Sequence, residues 1–194
     1  MAQEVNMELV NNLRPFFGEY GRWALITETN VGAGGTGTVT FSSIPQNFRN
    51  LQLLLTVRTD RVAEVDSPTL IFNGDGAGNY DYNVIDAVGA ILSATPGRAQ
   101  TAISGGICEA GSSTASAFSS ISIEIPNYTD TNTFKTVITN PHGAFGNVSA
   151  DADCRIRVAF NKWRSTSAIT SITVDQAFGP NFVQYCKFQL YGVL

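Results

Sequence analysis

Two stretches near the carboxyl end, WRSTSAITSITV (163–174) and FVQYCKFQLYGVL (182–194), decide the fold class of this chain. Apolar or β-branched residues alternate with other residues in both, and Phe188 and Leu190, for example, fall two apart. A period of two is what a pleated β-strand imposes on its side chains. We therefore predict that the two stretches form the closing strands of an all-β module.

Further short stretches of the same character lie between clusters of Gly, Pro, Asn and Asp, which are typical of turns. They cover 23–27, 38–42, 51–59, 68–72, 80–85, 101–107, 119–125, 134–139 and 154–160, and the strands predicted within the two closing stretches cover 169–174 and 187–193. About ten short strands and no convincing helix in this part predict an antiparallel β-sandwich or jelly roll. Residues 86–118 are the least regular and rich in Ala, Gly and Ser, so we expect long surface loops there.

The alternation also predicts a core, because one phase of each strand must face the other sheet. The predicted core residues are Leu25, Val39, Phe41, Leu53, Leu55, Ile71, Ile123, Val137, Val158, Ile172 and Leu190.

The first residues differ from the rest, and we divide the chain into an N-terminal docking arm, 1–22, and a β-sandwich domain, 23–194. Apolar residues four apart give the arm a short helical stripe before a proline, and aromatic residues follow. An isolated helix of this length is marginal in water, so the arm needs a partner. The predicted partner-binding residues are Val5, Leu9, Leu13, Phe16, Phe17 and Tyr20.

Composition excludes several classes of function. Only 14% of the residues are charged, against roughly 25% in average soluble proteins. The net charge of −4 and the pI near 4.9 argue against a nucleic-acid or anionic-membrane surface, which needs clustered Lys and Arg; the twelve basic residues are scattered along the sequence. The start of the chain is not typical of an export signal, and no apolar run approaches a membrane span. We expect a protein that is made in a cytoplasm and kept there until something carries it out.

The cysteine and glycine patterns do not indicate a disulfide framework, a metal site or a nucleotide-binding loop. The three cysteines, Cys108, Cys154 and Cys186, are far apart and odd in number, so we predict reduced, buried thiols rather than a disulfide framework or a metal site. Residues 32–37, GAGGTG, fit a dinucleotide fingerprint, but a predicted strand follows where the fingerprint needs a helix. A turn is the favoured interpretation.

Oxygen-bearing side chains at Asn73, Asp75, Asn79 and Asp81 could suit Ca²⁺, but the loop lacks the closing Glu of a full calcium loop, and a hairpin turn explains the same residues. His142 is the only histidine and no nucleophile motif accompanies it, so we interpret it as a solvated loop residue.

Paired carboxylates could make a glycosidase, but the acidic residues in predicted loops lack the paired setting that this chemistry needs. They are Glu64, Asp66, Asp75, Asp81, Asp86 and Glu109. Several aromatic residues could form either a glycan-stacking platform or an interface, although at strand spacing the core is favoured. These are Tyr80, Tyr82, Tyr128, Phe145, Trp163 and Tyr185. We predict no enzymatic activity, no cofactor and no metal.

Five blocks together resemble a β-sandwich module of tailed-bacteriophage virion proteins, found in tail-fibre ends and in small capsid decoration, or cement, proteins. The blocks are VTFSSIPQNFRNLQLLLTVRTD (39–60), LIFNGDGAGNYDYNVI (70–85), IEIPNYTDTNTFKTVIT (123–139), WRSTSAITSITV (163–174) and FQLYGV (188–193). The resemblance covers residues from about 23 to 194. Its most specific parts are the FNGD turn and the WRSTSAITSIT stretch.

The resemblance implies a phage structural protein, located in the virion, assembled in the host cytoplasm and trimeric. A fibre would carry a long shaft before the module, whereas only about twenty residues precede it here. We therefore expect a decoration protein that docks on the major capsid protein or other virion proteins, with a tail-fibre or receptor-binding protein as the alternative. Nucleic acid and membrane are not expected partners.

Overall fold

The computed structural model describes residues 23–144 and 154–194, and within these ranges the regular structure is β-strand alone. The strands are β1 (Trp23–Asn30), β2 (Val39–Phe41), β3 (Asn50–Val57), β4 (Val65–Asp66), β5 (Pro68–Phe72), β6 (Tyr80–Val88), β7 (Ile91–Gln100), β8 (Ile103–Ser104), β9 (Cys108–Glu109), β10 (Ser119–Pro126), β11 (Lys135–Ala144), β12 (Arg155–Trp163), β13 (Ile172–Gln176) and β14 (Lys187–Val193). None of the described residues forms a helix long and apolar enough to cross a membrane.

Two sheets of unequal size make an antiparallel sandwich, as the alternation predicted. The large sheet has eight strands in the order β1-β14-β3-β10-β11-β12-β6-β7, and the small one has four in the order β2-β13-β5-β8. Strands β4 and β9 form a separate two-stranded ribbon. Because the large sheet has twice as many strands, part of its inner face extends beyond the small sheet.

The core lies between the two sheets, where one side-chain phase of each strand is removed from water. Strand β10 shows the pattern clearly: Ile121, Ile123 and Ile125 are buried and the residues between them are more exposed. The facing layer comes from the small sheet, with Leu70 and Phe72 of β5 fully buried. Eight of the predicted core residues are buried, namely Val39, Phe41, Leu53, Leu55, Ile123, Val137, Ile172 and Leu190.

Three predicted core residues were assigned to the wrong face. Leu25 is exposed on the outward side of β1, and Ile71 and Val158 are only half-buried. Ile71 lies opposite Thr173, on the face of the small sheet that looks away from the core. Val158 lies opposite Ile85 on the outward face of the large sheet. In each case apolar residues occupy both phases of the strand, so the period of two does not say which phase is buried.

The strand boundaries were partly wrong around the least regular segment. Residues 86–118 contain β7, which is ten residues long, together with β8 and β9, rather than long loops alone. The closing stretch 163–174 is also not one strand, because Trp163 ends β12 and β13 begins only at Ile172. By contrast, the predicted strand over 187–193 has the bounds of β14.

Two of the three cysteines are buried, as predicted, and one is not. Cys108 and Cys186 are free and buried, and burial raises the pKa of both thiols. Cys154 is free and exposed, because it lies just outside the first residue of β12. A buried thiol with a raised pKa is a poor nucleophile. The Cys186 sulfur is instead bound to the backbone of Arg58, since it accepts the Arg58 amide and donates to the Arg58 carbonyl, both at 3.2 Å.

Gly192 has a packing role within the FQLYGV block. It lies on the inward phase of β14, and a Cβ built there would overlap the ring of Phe48, which packs against the core. We expect Gly192→Ala to displace that ring and to lower the free energy of unfolding by about 1–3 kcal/mol in urea denaturation. Gly76→Ala is the matched control, since a Cβ at Gly76 meets open space. Equal stabilities of the two variants would contradict this account.

Candidate interaction surfaces

The FNGD turn and the stretch after Trp163 are bound to each other. Asn73 has a positive φ of 52°, and its side chain turns toward the loop that precedes β13. Its Nδ2 donates to the carbonyl of Ala168 at 2.8 Å, and its Oδ1 accepts the amides of Thr170 at 2.8 Å and Ser171 at 3.1 Å. The two most specific parts of the resemblance therefore form one clamp that joins β5 to β13.

Asp75 completes the same clamp. Its Oδ2 accepts the indole N–H of Trp163 at 2.7 Å, and its carboxylate also accepts from the Asn79 side chain and the Ala77 amide. The Trp163 hydrogen bond is the main cause that lowers the pKa of Asp75. These N–H donors occupy the oxygens that a calcium ion would need, which supports the turn interpretation. Within 23–144 and 154–194, no three His, Cys, Asp or Glu residues form a group suited to a metal.

Basic residues that are scattered in the sequence meet at Asp81 in the structure. Its Oδ2 lies 3.5 Å from Arg98, 3.8 Å from Lys162 and 3.6 Å from Arg164. The pKa of Asp81 is lowered, chiefly by the hydrogen bond from the Ala99 amide and further by the three cations. Three positive charges around one negative charge give this surface a local excess of +2 on an acidic protein.

The other sequence candidates separate into distinct environments. Gly35, with a φ of 68°, closes a turn through a 3.0 Å bond to the Gly32 carbonyl, and β2 follows, so GAGGTG is a turn. His142 is a strand residue of β11 opposite Arg157, not a loop residue as predicted. The register shifts between Thr139 and His142, and a bulge of this kind accommodates a proline, which has no N–H to donate to the sheet.

The six candidate carboxylates lie in strands and turns in different parts of the structure. Four of them lie in strands rather than in the predicted loops, namely in β4, β6 and β9. Their hydrogen-bond donors differ from one carboxylate to the next. Asp66, for example, accepts the Thr59 hydroxyl and the Gly179 amide, whereas Asp86 is bound by Arg157. The absence of enzymatic activity stays a prediction.

The aromatic candidates are mostly core, as favoured. Tyr80, Tyr128 and Trp163 are buried, while Tyr82 is half-buried and Tyr185 is exposed. Phe145 lies outside the described residues, as do the six predicted partner-binding residues of the arm. They are Val5, Leu9, Leu13, Phe16, Phe17 and Tyr20.

An apolar surface lies on the side of the large sheet that faces away from the small one. Residues opposite each other in antiparallel strands share a face, and the register aligns Ile156 with Ala87 and Leu92. Ile156 is 59% exposed, Phe160 51% and Leu92 74%. We define the outer apolar face by Ile85, Ala87, Leu92, Ile138, Ile156, Val158 and Phe160. The sequence signal for it was the apolar run of β12, in which both phases carry large residues.

Strand β7 forms the edge beside this face, and in the described part of the chain it pairs on one side only. Its hairpin turn is two residues long, so Leu92, Ala94 and Pro96 direct their backbone groups away from β6. Pro96 has no N–H to offer, which is typical of an edge strand. The open edge can therefore accept a partner strand around Leu92 and Ala94, and Pro96 limits the length of such pairing.

A groove of about 350 Å³ lies on the opposite, inner face, where the large sheet extends beyond β8. Its floor includes Tyr82, Asp86 and Arg157, and one wall carries Phe178. Arg157 binds Asp86 through two bonds, Nε to Oδ1 at 2.6 Å and Nη2 to Oδ2 at 2.8 Å. The sequence does not single out Phe178 or Arg157, because neither residue belongs to a recognisable local motif.

No protein-family model matches this chain, and no curated protein matches it in sequence. Among solved structures, it is similar to the galectin LEC-6 of Caenorhabditis elegans, with 8% identity, a TM-score of 0.28, and coverage of 86% of this chain and 95% of the galectin. It is also similar to scytalido-glutamic peptidase, with 11% identity, a TM-score of 0.27, and coverage of 80% of this chain and 75% of the peptidase. At these TM-scores neither likeness bears on what this chain does.

Proposed function

We propose that this protein is a structural protein of a bacteriophage virion, a capsid decoration protein that docks on the shell and stabilises it. The observation that carries the proposal is the outer apolar face beside an open edge strand. It adds to the resemblance of the five blocks, which points to the same class of protein.

Exposure of such an apolar face to water is unfavourable. Isolated soluble domains rarely expose contiguous apolar patches larger than a few hundred Å², and larger ones mark interaction sites. Ile156 and Phe160 lie on β12 and Leu92 lies on β7 of the same sheet, and all three are more than half exposed. Burying them against a neighbouring subunit would recover roughly 1.5–3 kcal/mol for each side chain that is fully covered.

The composition of the remaining surface fits assembly into a shell. A charged fraction of 14% is low, and interface cores are depleted in charged residues. The N-terminal arm offers a second apolar attachment element, since its sequence carries Phe16 and Phe17 shortly before the first strand of the sandwich. We propose that the protein acts as a homotrimer bound to the major capsid protein or to other virion proteins, assembled in the host cytoplasm.

The test measures binding of the purified full chain to virions assembled without it. We expect co-sedimentation with the capsids, and we expect Phe160→Glu to weaken the apparent affinity at least tenfold, because a charge would be buried in the contact. Ser120→Glu is the matched control, because Ser120 is exposed on the outward side of the same sheet, at β10. Deleting residues 2–20 should leave a folded domain that no longer binds.

Four results would overturn parts of this proposal. Unchanged binding of Phe160→Glu would remove the outer apolar face from the contact, and unchanged binding of the deletion would remove the arm. Location of the wild-type protein at the tail tip, with recognition of host cells, would favour the tail-fibre alternative. A monomer by native mass measurement, in solution and in the virion, would reject the trimer.

A further inference from the structure

The groove on the inner face has a chemistry that the proposed function does not use. It exists because β8 is only two residues long, so the small sheet stops short and leaves β6, β7 and part of β12 uncovered. Its volume of about 350 Å³ lies within the range of small-ligand pockets. Among the residues that line it in the described chain, Asp86 and Arg157 are the only charged ones.

Asp86 and Arg157 form a fixed polar pair in the floor. Besides its two bonds to Asp86, Arg157 donates from Nη1 to the Ser67 hydroxyl at 3.0 Å and to the Gly106 carbonyl at 3.2 Å. Both side chains keep a small exposed fraction, 17% and 16%. A carboxylate that accepts two bonds retains further acceptor sites, and the guanidinium Nη2 has a second N–H. The pair therefore offers an acceptor and a donor side by side, already held in place.

The groove also presents aromatic surface at two points. Phe178 is 67% exposed, and the guanidinium of Arg61 covers one side of its ring at 4.3 Å. The ring of Tyr82 lies against Gly97, where a Cβ would overlap it, so glycine at this position lets the ring rest on β7. Both rings are thus positioned before any ligand arrives, which lowers the entropic cost of binding.

The charge balance and the edge of β8 limit the class of ligand. One positive and one negative side chain cancel, so the groove favours a neutral molecule. An extended peptide would need free backbone groups on β8, but Asn161 accepts the Ser104 amide at 3.0 Å and donates to the Ser104 carbonyl at 3.2 Å. That side chain closes the edge of β8 toward the floor, which disfavours strand addition.

We propose that this groove binds a neutral saccharide, with Asp86 and Arg157 hydrogen-bonding two adjacent hydroxyl groups and the ring of Phe178 packing against an apolar face of the sugar. A pyranose ring has hydroxyl groups at its rim, which suit the polar pair, and C–H groups on its faces, which suit the aromatic ring. The inference does not rest on the decoration role, because the groove and the outer apolar face lie on opposite sides of the large sheet.

The test uses the full chain and four neutral sugars: glucose, galactose, mannose and N-acetylglucosamine. We expect saturation-transfer NMR to detect at least one of them, and titration of that sugar to give the dissociation constant. Phe178→Ala should weaken binding roughly tenfold, as expected for the loss of an aromatic contact. Tyr185→Ala is the control: Tyr185 is also an exposed aromatic residue, but it does not line the groove, and its loss should leave the affinity unchanged.

A second variant tests the polar pair without removing its shape. Asp86→Asn should weaken binding at least tenfold, because it turns an acceptor pair into a mixed donor and acceptor, and a thermal melt verifies that the variant is folded. Affinity for a neutral sugar should also stay constant between about 0.05 and 0.5 M salt.

The proposal fails if none of the four sugars binds, or if a bound sugar is insensitive to both Phe178→Ala and Asp86→Asn. Binding of a strand-forming hexapeptide such as acetyl-TVTVTV-amide in the groove, without sugar binding, would overturn it in favour of a peptide site.

Discussion

We expect replacement of Trp163 with alanine to lower the free energy of unfolding by about 3–5 kcal/mol, the range for removing a buried aromatic side chain. Trp163 is 2% exposed, stacks on Tyr80 with ring centroids 6.3 Å apart, and lies 5.6 Å from the ring of Phe72. Its loss leaves a cavity between the two sheets. It also leaves Asp75 without its shortest hydrogen bond, which weakens the clamp between the FNGD turn and the loop before β13.

The chain has one other tryptophan, which serves as the control. Trp23 is 51% exposed on the edge strand β1, so Trp23→Ala should cost less than about 1 kcal/mol. Trp163→Phe separates packing from hydrogen bonding: it retains part of the ring system and should cost about 1–3 kcal/mol, from the lost hydrogen bond to Asp75 and the smaller side chain. Urea denaturation of the three variants measures these differences in the free energy of unfolding. A Trp163→Ala protein as stable as Trp23→Ala would contradict the central place of Trp163 in the core.

The second large effect is loss of stability in alkali. Burial raises the pKa of Tyr80 to about 12, from an ordinary value of 10.0. In the folded state its hydroxyl accepts the Phe72 amide at 2.9 Å inside the core. Between these two pKa values the unfolded chain loses the proton and the folded protein keeps it. The unfolded state therefore binds fewer protons, and stability falls as pH rises.

We expect the contribution of Tyr80 to begin near pH 10 and to approach 3 kcal/mol by about pH 12, since one pKa unit corresponds to about 1.4 kcal/mol. Urea denaturation between about pH 9 and about pH 11.5 tests it. Tyr80→Phe should be less stable at neutral pH, because the Phe72 amide loses its acceptor, but its stability should fall less steeply in alkali. Burial also raises the pKa of Tyr128, Cys108 and Cys186, so a smaller slope should remain in the variant. Equal slopes for the two proteins would exclude Tyr80 as the cause.

Strands with one apolar phase could be predicted from the sequence. In β14, Phe188 and Leu190 are the large apolar residues of the inward phase, and the predicted bounds of this strand match the structure. Strand β5 was predicted with its observed bounds as well, although Leu70 and Ile71 are adjacent apolar residues and the face was assigned to the wrong one. A strand's existence follows from local composition, whereas the side that is buried depends on what packs against it.

Strand β7 shows the limit of local composition. Ile91–Gln100 contains proline, glycine and alanine with no alternation, and in isolation it looks like a loop. It becomes a strand because a two-residue turn brings the chain back alongside β6. Along most of its length, β7 then forms backbone hydrogen bonds with β6. Pairing with a neighbour decided this element, and that information is not present in the ten residues themselves.

The sequence by itself determined the all-β class, most of the strands, the turn character of GAGGTG and FNGD, and the larger part of the core. These follow from period-two alternation and from turn chemistry, both of which act between residues close in the chain. The tertiary structure alone decided the clamp of Asn73 on Thr170, the charge cluster around Asp81, the outer apolar face and the groove. Each of these joins residues from distant strands, and the groove exists only because an eight-stranded sheet packs against a four-stranded one, so no local pattern can encode it.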